Sequence, residues 1–388
     1  MIEIRVPVAD DLDAIFRRDS EAFGGSFTAE QRIVWTELLD LDRFRAAFDG
    51  DTLVGFAGSH ELEITLPGAV VVPMAGTTWV SVAATHRRQG ILRRLIDAVH
   101  ADIDERGEPI AGLQASEAGI YERFGYGAAT SWRHIEIDRR RVEFSDRFQP
   151  SPGGLTLIDP LVEVDRLAEI YDRYRRGQVG EVSRSPAWIR MRMSEGSRRR
   201  AGVLHRDGYA IWTITENWSE FDARHELCLD DLVACTDEAR AALWNLVLSH
   251  DLVGPVRSDR SVALDDPLAS LLTNPRAVKT TALHDFLWLC PRRVGDLLAA
   301  RRYRDADALV VDVDGERWRV EGGIDGAVSV RTNVAPDLTM TRAAMGALLL
   351  GGVSATELAA ERRLIGDDLA RADVFFGWMP APHCTTPF

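Results

Sequence analysis

Residues 79–93 read Trp-Val-Ser-Val-Ala-Ala-Thr-His-Arg-Arg-Gln-Gly-Ile-Leu-Arg, and this stretch constrains the fold more tightly than any other. It alternates apolar and small side chains as a strand does, then changes abruptly to a turn with two arginines and a glycine. From Ile91 onward, Ile91, Leu92, Leu95, Ile96, Val99 and Ile103 recur at the spacing of a helix with one buried face. The first amides of such a helix have no intrahelical acceptor and the positive end of its dipole faces outward, so the turn can hold an anion. Gly90 lets the backbone come close, and Arg87, Arg88, Arg93 and Arg94 add fixed positive charge. The segment reads as a pyrophosphate cradle. By glycine and arginine content alone a basic turn before an ordinary surface helix is the better reading, because short Gly/Arg turns are common.

The next stretch decides between the two. Leu113-Gln-Ala-Ser-Glu-Ala-Gly-Ile-Tyr121-Glu-Arg-Phe-Gly125-Tyr126-Gly127 predicts a short helix capped by Ser116 and ended by Gly125. Together the segments resemble motifs A and B of the GNAT superfamily of acetyl-CoA-dependent N-acetyltransferases: Arg87-x-x-Gly90-x-Leu92 for the pyrophosphate and Tyr121-x-x-x-Gly125-Tyr126 for the thioester site. The last motif A position carries Leu92, bulkier than the superfamily norm. That departure and the aromatic end, Phe388, resemble the Eis (enhanced intracellular survival) acetyltransferases of actinobacteria, which acetylate aminoglycosides and other amines.

The resemblance implies acetyl-CoA as co-substrate, no metal, and a set of site residues. Arg87, Arg88, Gln89, Gly90, Ile91, Leu92 and Arg93 are expected to hold the pyrophosphate. Main-chain groups of Val80, Ser81 and Val82 are expected to pair with the pantetheine arm as a pseudo-strand, with Ser116 and Glu117 completing the cofactor contacts. Direct amine attack on the thioester needs a proton for the departing thiolate, and a phenol near pKa ~10 can supply it. Tyr121 and Tyr126 compete for that role, and motif position favours Tyr121. The expected partner for the amine is the Phe388 α-carboxylate, which anchors the ammonium and accepts its proton. A tail holding Phe375, Phe376, Trp378 and Pro380 so near the end is expected to be packed. Phe23, Trp35 and Trp79 offer aromatic faces to a cationic acceptor, or serve as core. The loop Gly24-Gly25-Ser26 lacks the acid common in this pattern, and Glu30 and Glu61 are the nearest substitutes.

The formal charge of −14 disfavours a nucleic-acid partner and suits a small cationic amine. The four cysteines have no zinc-like spacing and read as reduced thiols. No stretch is apolar and long enough to cross a bilayer, and Met1-Ile-Glu-Ile-Arg-Val enters a strand without a leader pattern, so a cytoplasmic place without membrane partner is expected.

Three units are expected in an α+β chain. Residues 1–148, ending with the strand Ser131–Asp138 and followed by a polar linker at Gln149–Gly154, form the catalytic GNAT domain. Residues 149–294 repeat its strand–strand–strand–helix order without either motif, as a degenerate GNAT-like domain. Residues 295–388, with a hairpin at Asp314-Gly315 and the phrase Asp337-Leu-Thr-Met-Thr341, resemble the sterol-carrier-protein-like fold, its C-terminus expected to enter the active site. The resemblance also implies a homo-oligomer, a hexamer. Two other functions stay open: acetylation of protein lysine, and a lipid- or ligand-binding protein with a vestigial acetyltransferase fold.

Overall fold

The computed structural model describes residues 1–146, 148, 154–194, 199–220 and 222–388. All of the expected linker except Gly154 lies outside the described residues. The chain forms two compact units, the first of residues 1–129, 287–379 and 387–388, the second of residues 130–286 and 380–386.

In the first unit, strands β1 (Ile2–Arg5), β2 (Phe44–Asp49), β3 (Thr52–Leu66), β4 (Val70–Val82) and β5 (Ile110–Gln114) lie side by side, followed by Leu287–Pro291 and then β6 (Gly127–Ala128). Every neighbouring pair is antiparallel except β4 and β5. The helices are α1 (Leu12–Phe23), α2 (Ala29–Leu38) and α3 (Ile91–Arg106). The predicted periodicity of α3 is realised: Ile91, Leu95, Ile96, Val99 and Ile103 are buried against Val54, Ala57, Ala75, Ala111 and Leu113. Ile15 and Phe16 of α1 pack with Phe44, Phe56 and Trp79 in a second cluster.

The parallel pair is short. It covers Ala75 opposite Ala111 and Gly76 opposite Gly112, whereas β4 continues to Val82. Beyond Gly76 the β3 register slips by one residue, between the pairs Gly58–Thr78 and Phe56–Ser81, and Trp79 at the slip has φ +55°. This bulge bends β4 and turns its last residues away from a neighbour.

Two strands join a sheet other than the one their place in the sequence suggests. Strand β7 (Ser131–Asp138), read as the end of the first domain, belongs to the second unit's sheet, which also holds Thr156–Ile158, Ala201–His205, Gly208–Thr215, His225–Ala234, Val253–Ser258 and Val278–Asp285. Leu287–Pro291, read as part of the second domain, pairs with β5 and β6. Its five residues are all buried, so it has no apolar–polar alternation to reveal which sheet it joins.

The C-terminal part of the first unit has a five-stranded sheet, Asp307–Val313, Glu316–Gly322, Ala327–Arg331, Leu338–Met340 and Leu364–Gly366, with the expected hairpin at Asp314-Gly315. Its helix Arg342–Leu348 sits directly on the first sheet. A Cβ at Gly127 would stand 1.8 Å from the Ala343 carbonyl oxygen, and one at Gly346 would stand 1.9 Å from that of Leu289. Among the described residues no helix is long and apolar enough to cross a membrane.

Candidate active site

Helix α3 begins at Gly90, which adopts φ +76° and carries no side-chain cap. The first helical bond runs from the Arg94 N–H to the Gly90 carbonyl, so the amides of Ile91, Leu92 and Arg93 face outward without an acceptor in the helix. A cavity of about 580 Å³ opens there. Arg87, Arg88, Gly90, Ile91, Leu92 and Arg93 line one part of it, Val80, Ser81 and Val82 another, and Ser116, Glu117, Ile120, Tyr121, Arg123 and Phe124 a third. The expected cofactor residues are thus gathered around one space, except Gln89. Its side-chain amide is 3.5 Å from the Thr85 carbonyl oxygen and does not line the cavity. The fit for an elongated anionic thioester rests on three features: unmatched amides at a helix start, guanidinium groups around them, and strand main chain alongside.

The second motif folds as two short 3₁₀ turns, Ala118–Ile120 and Glu122–Phe124, instead of the expected helix, and Ser116 caps neither. Gly125 ends the second turn at φ +89°, as expected. Two glycines and an aromatic every few residues leave too little helix propensity for a longer element. Tyr121 is buried to 6% exposure at the cavity wall, and burial, then Glu117, raise its pKa above the usual phenol value. At neutral pH it holds its proton.

Tyr126 is differently committed. Its hydroxyl lies 2.9 Å from Thr77 Oγ1 and 3.0 Å from His100 Nε2. Arg292, which can only donate, stands 3.2 Å from His100 Nδ1, so Nδ1 accepts and Nε2 carries the hydrogen. His100 therefore donates to the Tyr126 oxygen, and Tyr126 donates onward to Thr77. Burial, then Arg292, push His100 down to about 3, keeping it neutral. Tyr126 is fully buried and does not line the cavity. Its ring meets that of Tyr121 edge-on at 6.2 Å.

Phe388 lies where β4 and β5 part. Its N–H donates to Gln114 Oε1 at 2.8 Å, and its ring covers Gly76, where a Cβ would stand 3.0 Å from it. Gly76 and Gln114 are contacts that sequence reasoning missed. The available signal is a glycine within the strand Val70–Val82 and a polar residue closing an otherwise apolar strand.

The aromatic acceptor residues separate. Phe23 is exposed and lines the cavity. Trp79 does not: at 8% exposure it stacks on Phe27 at 5.8 Å and meets Phe16, Trp35 and Phe56 edge-on. The bulge that frees the end of β4 turns this ring into the core. Trp35 leans on Trp79 and His60 and is likewise not among the lining residues. Neither Glu30 nor Glu61 lines the cavity.

Residues 3–129 match a family described as acetyltransferase (GNAT) domain, residues 180–293 match a second family of that description, and residues 294–385 match the sterol carrier protein domain. The class is thereby defined as a GNAT acetyltransferase, an acyltransferase of the kind that uses acetyl-CoA, with tandem GNAT domains and a sterol-carrier-protein-like domain. An N-acetyltransferase Eis of Mycobacterium tuberculosis is 33% identical over 393 residues, covering 95% of each chain. An uncharacterized N-acetyltransferase of Streptomyces avermitilis is 34% identical over 381 residues, covering 93% of each. The crystal structure of Eis1 from Mycobacterium abscessus superposes with a TM-score of 0.90 at 34% identity, covering 100% of both chains. The chain belongs to the Eis family of N-acetyltransferases.

Proposed function

We propose that the chain transfers the acetyl group of acetyl-CoA directly to an amine of a small multi-amine cation, with aminoglycosides as the substrate class. The observation that carries this reading is the single cavity that joins an uncapped, arginine-flanked helix start to Tyr121. The amides of Ile91, Leu92 and Arg93, with Arg87, Arg88 and Arg93 side chains, hold the pyrophosphate. The Val80–Val82 main chain aligns the pantetheine arm, and Ser116 and Glu117 border it.

Attack forms the C–N bond and breaks the C–S bond. Tyr121 gives its proton to the departing thiolate, while the α-carboxylate of Phe388 accepts the proton lost by the amine. Tyr121 suits the acid role because no hydrogen bond already claims its hydroxyl among the described contacts, in contrast to Tyr126. The formal charge of −14 favours approach of a cation.

Incubating the protein with acetyl-CoA and either an aminoglycoside or a polyamine, then measuring mass, tests the substrate class. Addition of one or more acetyl groups to the aminoglycoside is expected. Acetylation of protein lysine alone, with both small amines untouched, would move the function to protein modification. A cytoplasmic, six-chain assembly belongs to the same proposal and rests on the family resemblance. Light scattering that finds only monomer would remove the six-chain part.

A further inference from the structure

The second unit contains a buried polar cluster that the reaction as described does not use. Glu181, Arg184, Arg192 and Asp231 are each no more than 7% exposed, two carboxylates balanced by two guanidiniums. Their hydrogen bonds converge on the tail. The Glu181 carboxylate accepts from the Thr385 N–H at 3.0 and 3.1 Å and from the Thr385 hydroxyl at 2.8 Å. Arg184 donates to Thr385 Oγ1 at 2.5 Å, to Thr386 Oγ1 at 2.6 Å and to Asp231 at 2.6 Å. The Tyr171 hydroxyl bridges Glu181 and Thr386. Burial opposes ionisation of Asp231, but Arg184 and Arg192 outweigh it and hold its carboxyl below the usual range. The preceding residues are also tied: the His383 N–H donates to the Val179 carbonyl at 2.9 Å, and the Trp132 indole donates to the Cys384 carbonyl at 3.1 Å.

A cluster serving only to fill a core would link two structural elements. This one spends most of its bonds on two threonines that directly precede Pro387 and Phe388. We infer that it is a clamp on the tail, with Glu181, Arg184 and Thr385 as positioning residues for Phe388. The inference rests on the proposed role of the Phe388 carboxylate. Two residues span at most about 7 Å, and Pro387 fixes one of the intervening torsions, so holding Thr386 restricts the space Phe388 can visit. Displacement of a reacting group by about 1 Å can cost roughly a hundredfold in rate.

The test compares Thr385→Val, Thr385→Ser, deletion of Phe388, and the deletion combined with Thr385→Val, all in the full chain. Thr385→Val is expected to lower kcat about 10- to 100-fold, to leave acetyl-CoA affinity unchanged, and to speed amide hydrogen exchange at residue 385. Thr385→Ser, which keeps the hydroxyl, should stay within about threefold of the parent kcat and exchange slowly. In the deletion background Thr385→Val should cause no further loss, because both changes act through one group. If Thr385→Val fails to give a cooperative melt, Glu181→Gln replaces it with the same expectations.

Parent-like kcat in Thr385→Val despite fast exchange, with the deletion impaired, overturns the clamp alone. So does an equal fold-loss in the presence and absence of Phe388. Full kcat in the Phe388 deletion overturns the proposed role of Phe388, and the clamp's catalytic task with it.

Discussion

The two larger sheets are built alike and furnished differently. In each, one parallel strand pair sits among antiparallel neighbours: Ala75 and Gly76 against Ala111 and Gly112 in the first, and His225 to Cys228 against Val253 to Arg257 in the second. In each, the strand entering the parting carries an extra residue against its other neighbour, near Trp79 in the first and at Asp230 in the second. The helix that follows then separates them. Helix α3 starts at an uncapped glycine next to Arg87 and Arg88. The helix Asp237–Leu248 starts behind Thr236, whose hydroxyl accepts from the Ala239 N–H at 3.1 Å, and its first turn carries Asp237 and Glu238. One helix start offers donors and positive charge to an anion; the other is already satisfied and presents negative charge. The second parting is also furnished from within, since Asp231 is paired to Arg184 and Arg184 to the tail. The two sheets thus differ at corresponding places: an open, basic helix start in the first, and a capped, acidic one beside a buried ion-pair cluster in the second.

The largest expected effect breaks the working cleft. Tyr121→Phe should reduce turnover by about 10²–10⁴-fold with acetyl-CoA affinity retained, because the phenol acts as the thiolate leaves. Full turnover in that variant together with loss in Tyr126→Phe would transfer the acid role, despite the prior commitment of Tyr126 to Thr77. The matching change in the second sheet, Asp231→Ala, leaves Arg184 buried without its carboxylate partner. It should cost ~3–5 kcal/mol of stability in denaturant melts, and an unchanged midpoint would show that the cluster is not under load.

Acid acts on a buried histidine of the first unit. His100 is held neutral in the fold, about 3 against an ordinary 6.5, so the unfolded chain binds a proton that the folded chain refuses. The stabilising contribution is complete above pH 6.5 and is lost as pH falls toward 3, up to about 5 kcal/mol. His100→Gln should flatten the pH dependence of the melting temperature over that window, and an unaltered slope would contradict the assignment. The smallest effect concerns the capped helix: Thr236→Ala should lower stability by about 1 kcal/mol and leave acetyl-CoA binding untouched. A change in acetyl-CoA affinity there would mean that the second sheet binds cofactor after all.

What the sequence made legible was local. The strand, basic turn and helix from residue 79 to 106 carry their own periodicity and their own anion chemistry, and they supply more than half of the residues that line the cavity. Contacts made across the chain were not legible. Gln114 meets Phe388 from 274 residues away, and nothing around either residue announces the pairing. The exchange of β7 and Leu287–Pro291 between sheets was hidden because a fully buried strand lacks alternation. Trp79 reads equally well as a cation-facing ring or as core, and only the bulge at φ +55° decides for core. The clamp is a third case: Glu181, Arg184 and Asp231 look like ordinary surface charges until the fold buries them around the tail.

Calorimetric titration with acetyl-CoA, on the parent protein and on Gly90→Val, tests most directly the claim that one cleft works and the other does not. A valine at Gly90 must adopt φ +76° and adds bulk at the helix start, so affinity should fall at least about tenfold, while about 1–3 kcal/mol of backbone strain lowers the melting temperature without abolishing the cooperative melt. The parent should bind one acetyl-CoA per chain. Two molecules per chain, none, or equal affinity in Gly90→Val would contradict the account.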